Sequence, residues 1–143
     1  MRKLVVVFLF LFAGMIVSIP TGASAGVVAR IDLSQQTMKV YVNGIRKYSW
    51  RVSTARSGYR TPTGSYRPTR MHRTYFSKKY HGSPMPHSIF FYGGYAIHGT
   101  NAVSALGRPA SHGCVRLHPS NAAALFSLVQ RHGPRNTQIV ISR

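Results

Sequence analysis

The chain holds one cysteine, Cys114, in the run Ser111-His112-Gly113-Cys114, and a further histidine, His98, lies upstream of it in Ile97-His98-Gly99-Thr100. A lone cysteine is a buried thiol, an intermolecular link or a reactive group. The thiolate is the nucleophile, and with a free pKa of about 8.5 little of it exists near neutral pH unless an imidazole stands close by. His98 and His112 both qualify. His112, two residues before Cys114, shares a face with it if the loop is locally extended, which suits an orienting or hydrogen-bonding role. His98 comes from a strand-like element that can hold a fixed angle to the sulfur, so it is read as the base. Gly113 permits unusual backbone angles and close approach, so that successive N–H groups can converge on a developing oxyanion. Blander readings exist for each residue: an inert buried thiol, a satisfied half-buried His98, a loop strut at His112, a helix-terminus residue at His118. A zinc site from His98, His112, Cys114 and His118 is the other chemical alternative, although it lacks the usual paired spacing.

Chemistry that needs paired carboxylates is excluded by composition. Outside Arg2 and Lys3 the chain carries 17 Lys and Arg, and Asp32 is the only acid among its 143 residues. One carboxylate cannot supply the pair that glycosidases or aspartic proteases need, nor the several that hold magnesium or calcium. Asp32 lies in an early strand far along the sequence from the histidines, so a backbone carbonyl or an amide must orient any catalytic His. No cofactor and no metal are expected.

The elements that must position these residues are mostly strands. Val27 to Asp32 and Thr37 to Val42 read as a hairpin, and Asn43-Gly44 tolerates the positive φ of a tight turn into Ile45 to Ser53, where Tyr48, Trp50 and Val52 alternate with polar residues. Thr54 to Pro86 is crowded with Arg, Gly, Pro, Ser and Tyr, and reads as loop with short strand pieces at most. Ser88 to Tyr92 and Tyr95 to His98 are strands broken by Gly93-Gly94, and Thr137 to Ile141 is a last strand. One helix starts near Pro119 and runs to Arg131, stopped by Gly133-Pro134. The loop carrying Cys114 connects the strand ending at His98 to this helix. The expectation is a single mostly β domain with one helix packed on it.

Residues 1–25 read as a secretory signal peptide: a basic start, an apolar run from Leu4 to Val17, and Ala23-Ser24-Ala25 as the cleavage site. The run is shorter than the roughly 20 residues of a membrane-spanning helix, so no stable transmembrane span is expected and residues 26–143 form the exported domain. The basic surplus calls for anionic partners. Export argues against nucleic acid and leaves wall peptides and other anionic envelope polymers.

With these residues in view, the sequence resembles the L,D-transpeptidase catalytic domain family, also called the YkuD domain. The resemblance covers nearly all of residues 26–143. It rests on Ile97-His98-Gly99-Thr100 followed by Ser111-His112-Gly113-Cys114-Val115-Arg116-Leu117, with support from Thr61-Pro62-Thr63-Gly64 and from Phe91 to Ile97. It implies a β-sandwich or barrel with one helix near the C-terminus, acting in the periplasm or cell wall on peptidoglycan tetrapeptide stems; a monomer is expected. Cys attacks the bond between the third residue and the terminal D-alanine, D-alanine leaves, and the acyl group passes to an amine, forming a 3→3 cross-link, or to water. By motif position Cys114 is the nucleophile, His98 the base and the Gly99 carbonyl its orienting group, with the amides of His112, Gly113 and Cys114 as oxyanion hole. Arg116, Ser111 and Tyr95 fall on the substrate side, with Ser111 also holding the loop. Many members have Asn where Arg116 stands. A carboxypeptidase or amide hydrolase of the same fold is the nearest alternative, and a non-enzymatic basic wall-binding protein the alternative from another class. The wall-binding modules common in the family are absent from this sequence, so the positive surface itself is the expected anchor. Binding to purified cell wall should therefore fall steeply as salt is raised, as a pelleting assay would measure; binding indifferent to salt would contradict that role.

Overall fold

The computed structural model describes residues 26–143; the signal-peptide reading of residues 1–25 lies outside them. Strands β1 (Val27–Asp32) and β2 (Thr37–Val42) form the expected hairpin, and β3 (Ile45–Arg51) follows antiparallel to β2. The turn between β2 and β3 places Asn43 at φ 50° and Gly44 at φ 82°, which the Asn-Gly dipeptide accommodates. The last strand, β9 (Thr137–Ser142), returns parallel to β1, and the short β4 (Gly64–Tyr66) pairs with its far side. The resulting five-stranded sheet has the order β3-β2-β1-β9-β4.

A second sheet, ordered β5-β6-β7-β8, is built from β5 (Arg70–His72), β6 (Ser88–Tyr92), β7 (Tyr95–Gly99) and β8 (Val115–Leu117). Helix α1 (Pro119–His132) packs against β7, β6 and β1. Val27, Ala29 and Ile31 of β1, Ile139 and Ile141 of β9, Ile97 of β7 and Val115 and Leu117 of β8 meet Leu125, Phe126 and Val129 of the helix in one apolar core. The opposite face of the second sheet is covered as well, by a smaller cluster of Met85, Phe90 and Ala96 with Cys114 against it.

Two expectations change here. The strand read from Ile45 to Ser53 ends at Arg51, and its alternation does not bury it: β3 is an edge strand in which only Trp50 is half-buried, stacked on Tyr48 at 4.7 Å. The chain then crosses to the second sheet, where Ser53 exchanges backbone hydrogen bonds with Arg116. Strand β8 was read as part of the loop before the helix; with three residues it shows no periodicity in the sequence, and parallel pairing with β7 creates it.

The helix begins where its sequence demands. His118 caps it, accepting the Ser120 N–H at Nδ1, Pro119 takes the first turn where no N–H is needed, and Gly133 closes it with an N–H to the Val129 carbonyl. Its start presses on Gly99: a Cβ there would sit 3.1 Å from Pro86 Cγ and 3.2 Å from the Pro119 Cα. Gly99→Ala should therefore cost about 1–3 kcal/mol in denaturant unfolding through overpacking; an unchanged midpoint would show that the helix does not rest on this position.

Candidate active site

Parallel pairing of β7 with β8 sets His98 opposite Arg116 and Ile97 opposite Val115. Paired residues in neighbouring strands point to the same face and faces alternate along a strand. Ile97, Val115 and Leu117 therefore enter the core, while Ala96, His98, Cys114 and Arg116 share the other face. Of these, His98, Cys114 and Arg116 line one cavity of about 460 Å³. The thiol is partly buried and open to this space.

His98 is 6 % exposed, and its Nδ1 lies 2.7 Å from the carbonyl oxygen of Gly99. A carbonyl only accepts, so Nδ1 carries the proton and Nε2 keeps its lone pair. Burial drives the His98 pKa down to about 4, the Gly99 bond opposes the shift, and the Arg116 charge adds to it. Burial likewise pushes the Cys114 thiol up, against the pull of the Ala96 backbone and of Arg116. Both groups are neutral at rest, so the imidazole does not raise the standing thiolate fraction that the sequence alone suggested.

The loop before Cys114 is tied down bond by bond. Ser111, fully buried, donates from Oγ to the Cys114 carbonyl at 2.6 Å and accepts the Gly113 N–H at 3.0 Å. Thr61 Oγ1 donates to the Gly113 carbonyl at 2.8 Å and accepts the Ala55 N–H at 3.0 Å. Gly113 has φ 135°, and a Cβ on it would lie 2.6 Å from the Tyr95 ring and 2.8 Å from the Arg60 carbonyl, so no other residue fits. Ser111 holds the loop, its one hydroxyl donor spent on the Cys114 carbonyl. One sequence reading changes as a result. Of the three amides placed in an oxyanion hole, that of Gly113 is spent on Ser111, while those of His112 and Cys114 take no partner among the described residues.

His112 does not bond to the sulfur. Arg56 donates to its Nε2 at 3.0 Å, Tyr80 stacks on its ring at 4.4 Å, and Tyr59 meets it edge-on at 4.7 Å. Desolvation, then the charges of Arg56, Arg116 and Lys79, lower its pKa and favour the neutral ring. Thr61, Arg56, Tyr59 and Tyr80 were not singled out as site residues. Thr61 had a signal, the Thr61-Pro62-Thr63-Gly64 run; the others come from the irregular segment between Thr54 and Pro86, which also supplies Lys79, Pro84 and Met85 to the cavity wall. Arg116 is partly buried, with Nη1 3.4 Å from the Ala110 carbonyl, and Tyr95 packs over Gly113 at the cavity edge. The residues of the zinc alternative do not converge: no three His, Cys, Asp or Glu among the described residues form a group that could hold a metal.

A histidine buried neutral leaves a pH signature. Its folded pKa, about 4, lies below the unfolded value of 6.5, so between them the unfolded chain binds the extra proton and stability falls as pH drops from 6.5 to 4. The size is about 3 kcal/mol, and His98→Gln should lose less stability by that amount between pH 7 and 4 in denaturant titrations. Parallel pH curves for the two proteins would contradict the burial of a neutral ring.

The fold has counterparts in known proteins. The L,D-transpeptidase of Mycobacterium smegmatis superposes with a TM-score of 0.73 at 21% identity, over 83% of this chain and 59% of that one. An L,D-transpeptidase from Stackebrandtia nassauensis gives a TM-score of 0.73 at 28% identity, over 85% of this chain and 57% of its own. The putative L,D-transpeptidase YkuD of Bacillus subtilis is 39% identical over 49 residues, 34% of this chain and 27% of that protein. The chain thus spans less than two thirds of the length of these relatives. Among the described residues no helix is long and apolar enough to cross a membrane. The model of the L,D-transpeptidase catalytic domain matches residues 26–141, and the chain belongs to that family.

Proposed function

We propose that this protein is an exported cysteine L,D-transpeptidase that acts on peptidoglycan tetrapeptide stems. The observation that carries the reading is that Cys114 and a His98 whose Nδ1 is held by the Gly99 carbonyl line the wall of one cavity. As Sγ attacks the carbonyl of the third stem residue, Nε2 of His98 takes the thiol proton, and Gly99 holds the imidazolium that forms. The tetrahedral oxygen turns to the amides of His112 and Cys114, which are free to receive it. His98 then protonates the leaving amine of D-alanine, and the chain is left as a thioester. An acceptor amine gives its proton back to His98 as it attacks the thioester, which forms the new amide and restores the thiol.

Each part of the site fits a step. A carbonyl as third member suits a chain with a single carboxylate, and that carboxylate, Asp32, is engaged with Ser34 and Gln35 at the β1–β2 turn. The cationic groups on the cavity wall, Arg116 and Lys79, suit a substrate that carries free carboxylates.

The reading is tested by incubating the protein with purified disaccharide tetrapeptides and weighing the products. Dimers that have lost one D-alanine are expected, and Cys114→Ala and His98→Ala should each lower the rate by at least about 10³-fold. Tripeptides without dimers would make the protein a hydrolase, and no turnover would remove the enzymatic reading altogether.

A further inference from the structure

Beside the β6–β7 turn a row of aromatic rings starts from Tyr95, which lines the cavity. Tyr95, at the cavity edge, stacks on Tyr92 at 6.2 Å with 14° between the planes, and Tyr92 meets Tyr66 at 5.6 Å and 40°. Tyr66 is fixed at the far end, its hydroxyl donating to the Thr63 carbonyl at 2.8 Å and its ring leaning on Phe91 at 5.2 Å. Tyr66 and Tyr95 both pack on the main core, but Tyr92 belongs to neither apolar cluster and is 57% exposed. Folding thus explains the two outer rings, while the middle one packs only against them and leaves more than half of its surface to solvent. Nothing crowds the turn beside it either: a Cβ on Gly93 or Gly94 would meet no atom within 4 Å. Gly94 lines the cavity, and its carbonyl lies 3.8 Å from the Cys114 sulfur.

We propose that the row Tyr95, Tyr92 and Tyr66 is a carbohydrate subsite that takes the β-linked N-acetylamino-sugar backbone carrying the stem. This rests on the stem-peptide reading of the cavity and adds a second part of the same polymer to what the protein recognises. A pyranose with equatorial substituents presents axial C–H bonds on its faces and hydroxyls at its rim. A tyrosine offers the complement, a flat rigid ring with a polar tip and little conformational entropy to lose. In donor and acceptor stems alike the reacting residue is third from the sugar, and three extended residues reach at most about 10–11 Å, so the sugar would lie away from the thiol, on the side of the cavity edge where Tyr95 stands. A second stacked pair, exposed Tyr48 and half-buried Trp50 on edge strand β3, contributes nothing to the cavity wall.

Chitotetraose, a neutral tetramer of N-acetylglucosamine with no peptide, is the probe, titrated by NMR because single-site sugar affinities are weak. Wild type should bind it, Tyr92→Ala should weaken binding about fivefold or more, and Tyr92→Phe should stay within about twofold, since the ring and not the hydroxyl carries the contact. Tyr48→Ala should bind as wild type does, and raising the salt to about 0.5 M should change nothing, because no charge is paired. Failure of wild type to bind, an unchanged Tyr92→Ala, or equal weakening by Tyr48→Ala would overturn the proposal. The probe has no scissile bond, so this outcome is independent of whether stems are cross-linked, which the product analysis of disaccharide tetrapeptides reads by itself.

Discussion

The parallel register between β7 and β8 is the constraint on which the rest of the site depends. Because Ile97 faces Val115 and His98 faces Arg116, the core residues and the chemical residues are sorted onto opposite faces of the same two short strands. A slip of one residue would turn the imidazole into hydrocarbon and an isoleucine toward the thiol. Three residues of β8 could not hold that register alone. The Ser53 bridge on the outer edge of β8, the Thr100 N–H to the Leu117 carbonyl, and the helix start seated on Gly99 hold it from three sides.

Around that register, positions are fixed with neutral groups. His98 is oriented by a carbonyl, Ser111 and Thr61 spend their hydroxyls inside the Cys114 loop, and every buried side-chain nitrogen and oxygen among the described residues has a partner. The cations on the cavity wall, Arg116 and Lys79, stand there without an acid. Such an arrangement disfavours the imidazolium and tolerates the thiolate, so Arg116 acts on both ends of the proton transfer: it lowers the pKa of His98 and of Cys114 together.

Much of this was legible in the sequence. The two motifs named Cys114, His98 and Gly99 because their residue types are few and their spacing specific, and the strands and helix showed through alternation, the Asn43-Gly44 turn and the Pro119 and Gly133 boundaries. What escaped has a common cause. Strand β8 has no pattern of its own, and Arg56, Tyr59 and Tyr80 reach His112 from a segment with no periodicity, where only the tertiary fold decides which side chains meet. The neutrality of the His98 and Cys114 pair was also invisible, because burial sets it and burial is a property of the folded chain.

The central claim is that the pair rests neutral and that the proton moves only as the thiol attacks. Ultraviolet titration of the thiolate measures this directly, since Cys114 is the single cysteine and subtracting the Cys114→Ser protein removes the tyrosine contribution. The account predicts no thiolate step near neutral pH and ionisation only above the ordinary thiol range. A step at or below pH 7 that disappears in Cys114→Ser would show a standing thiolate and imidazolium, and would contradict it.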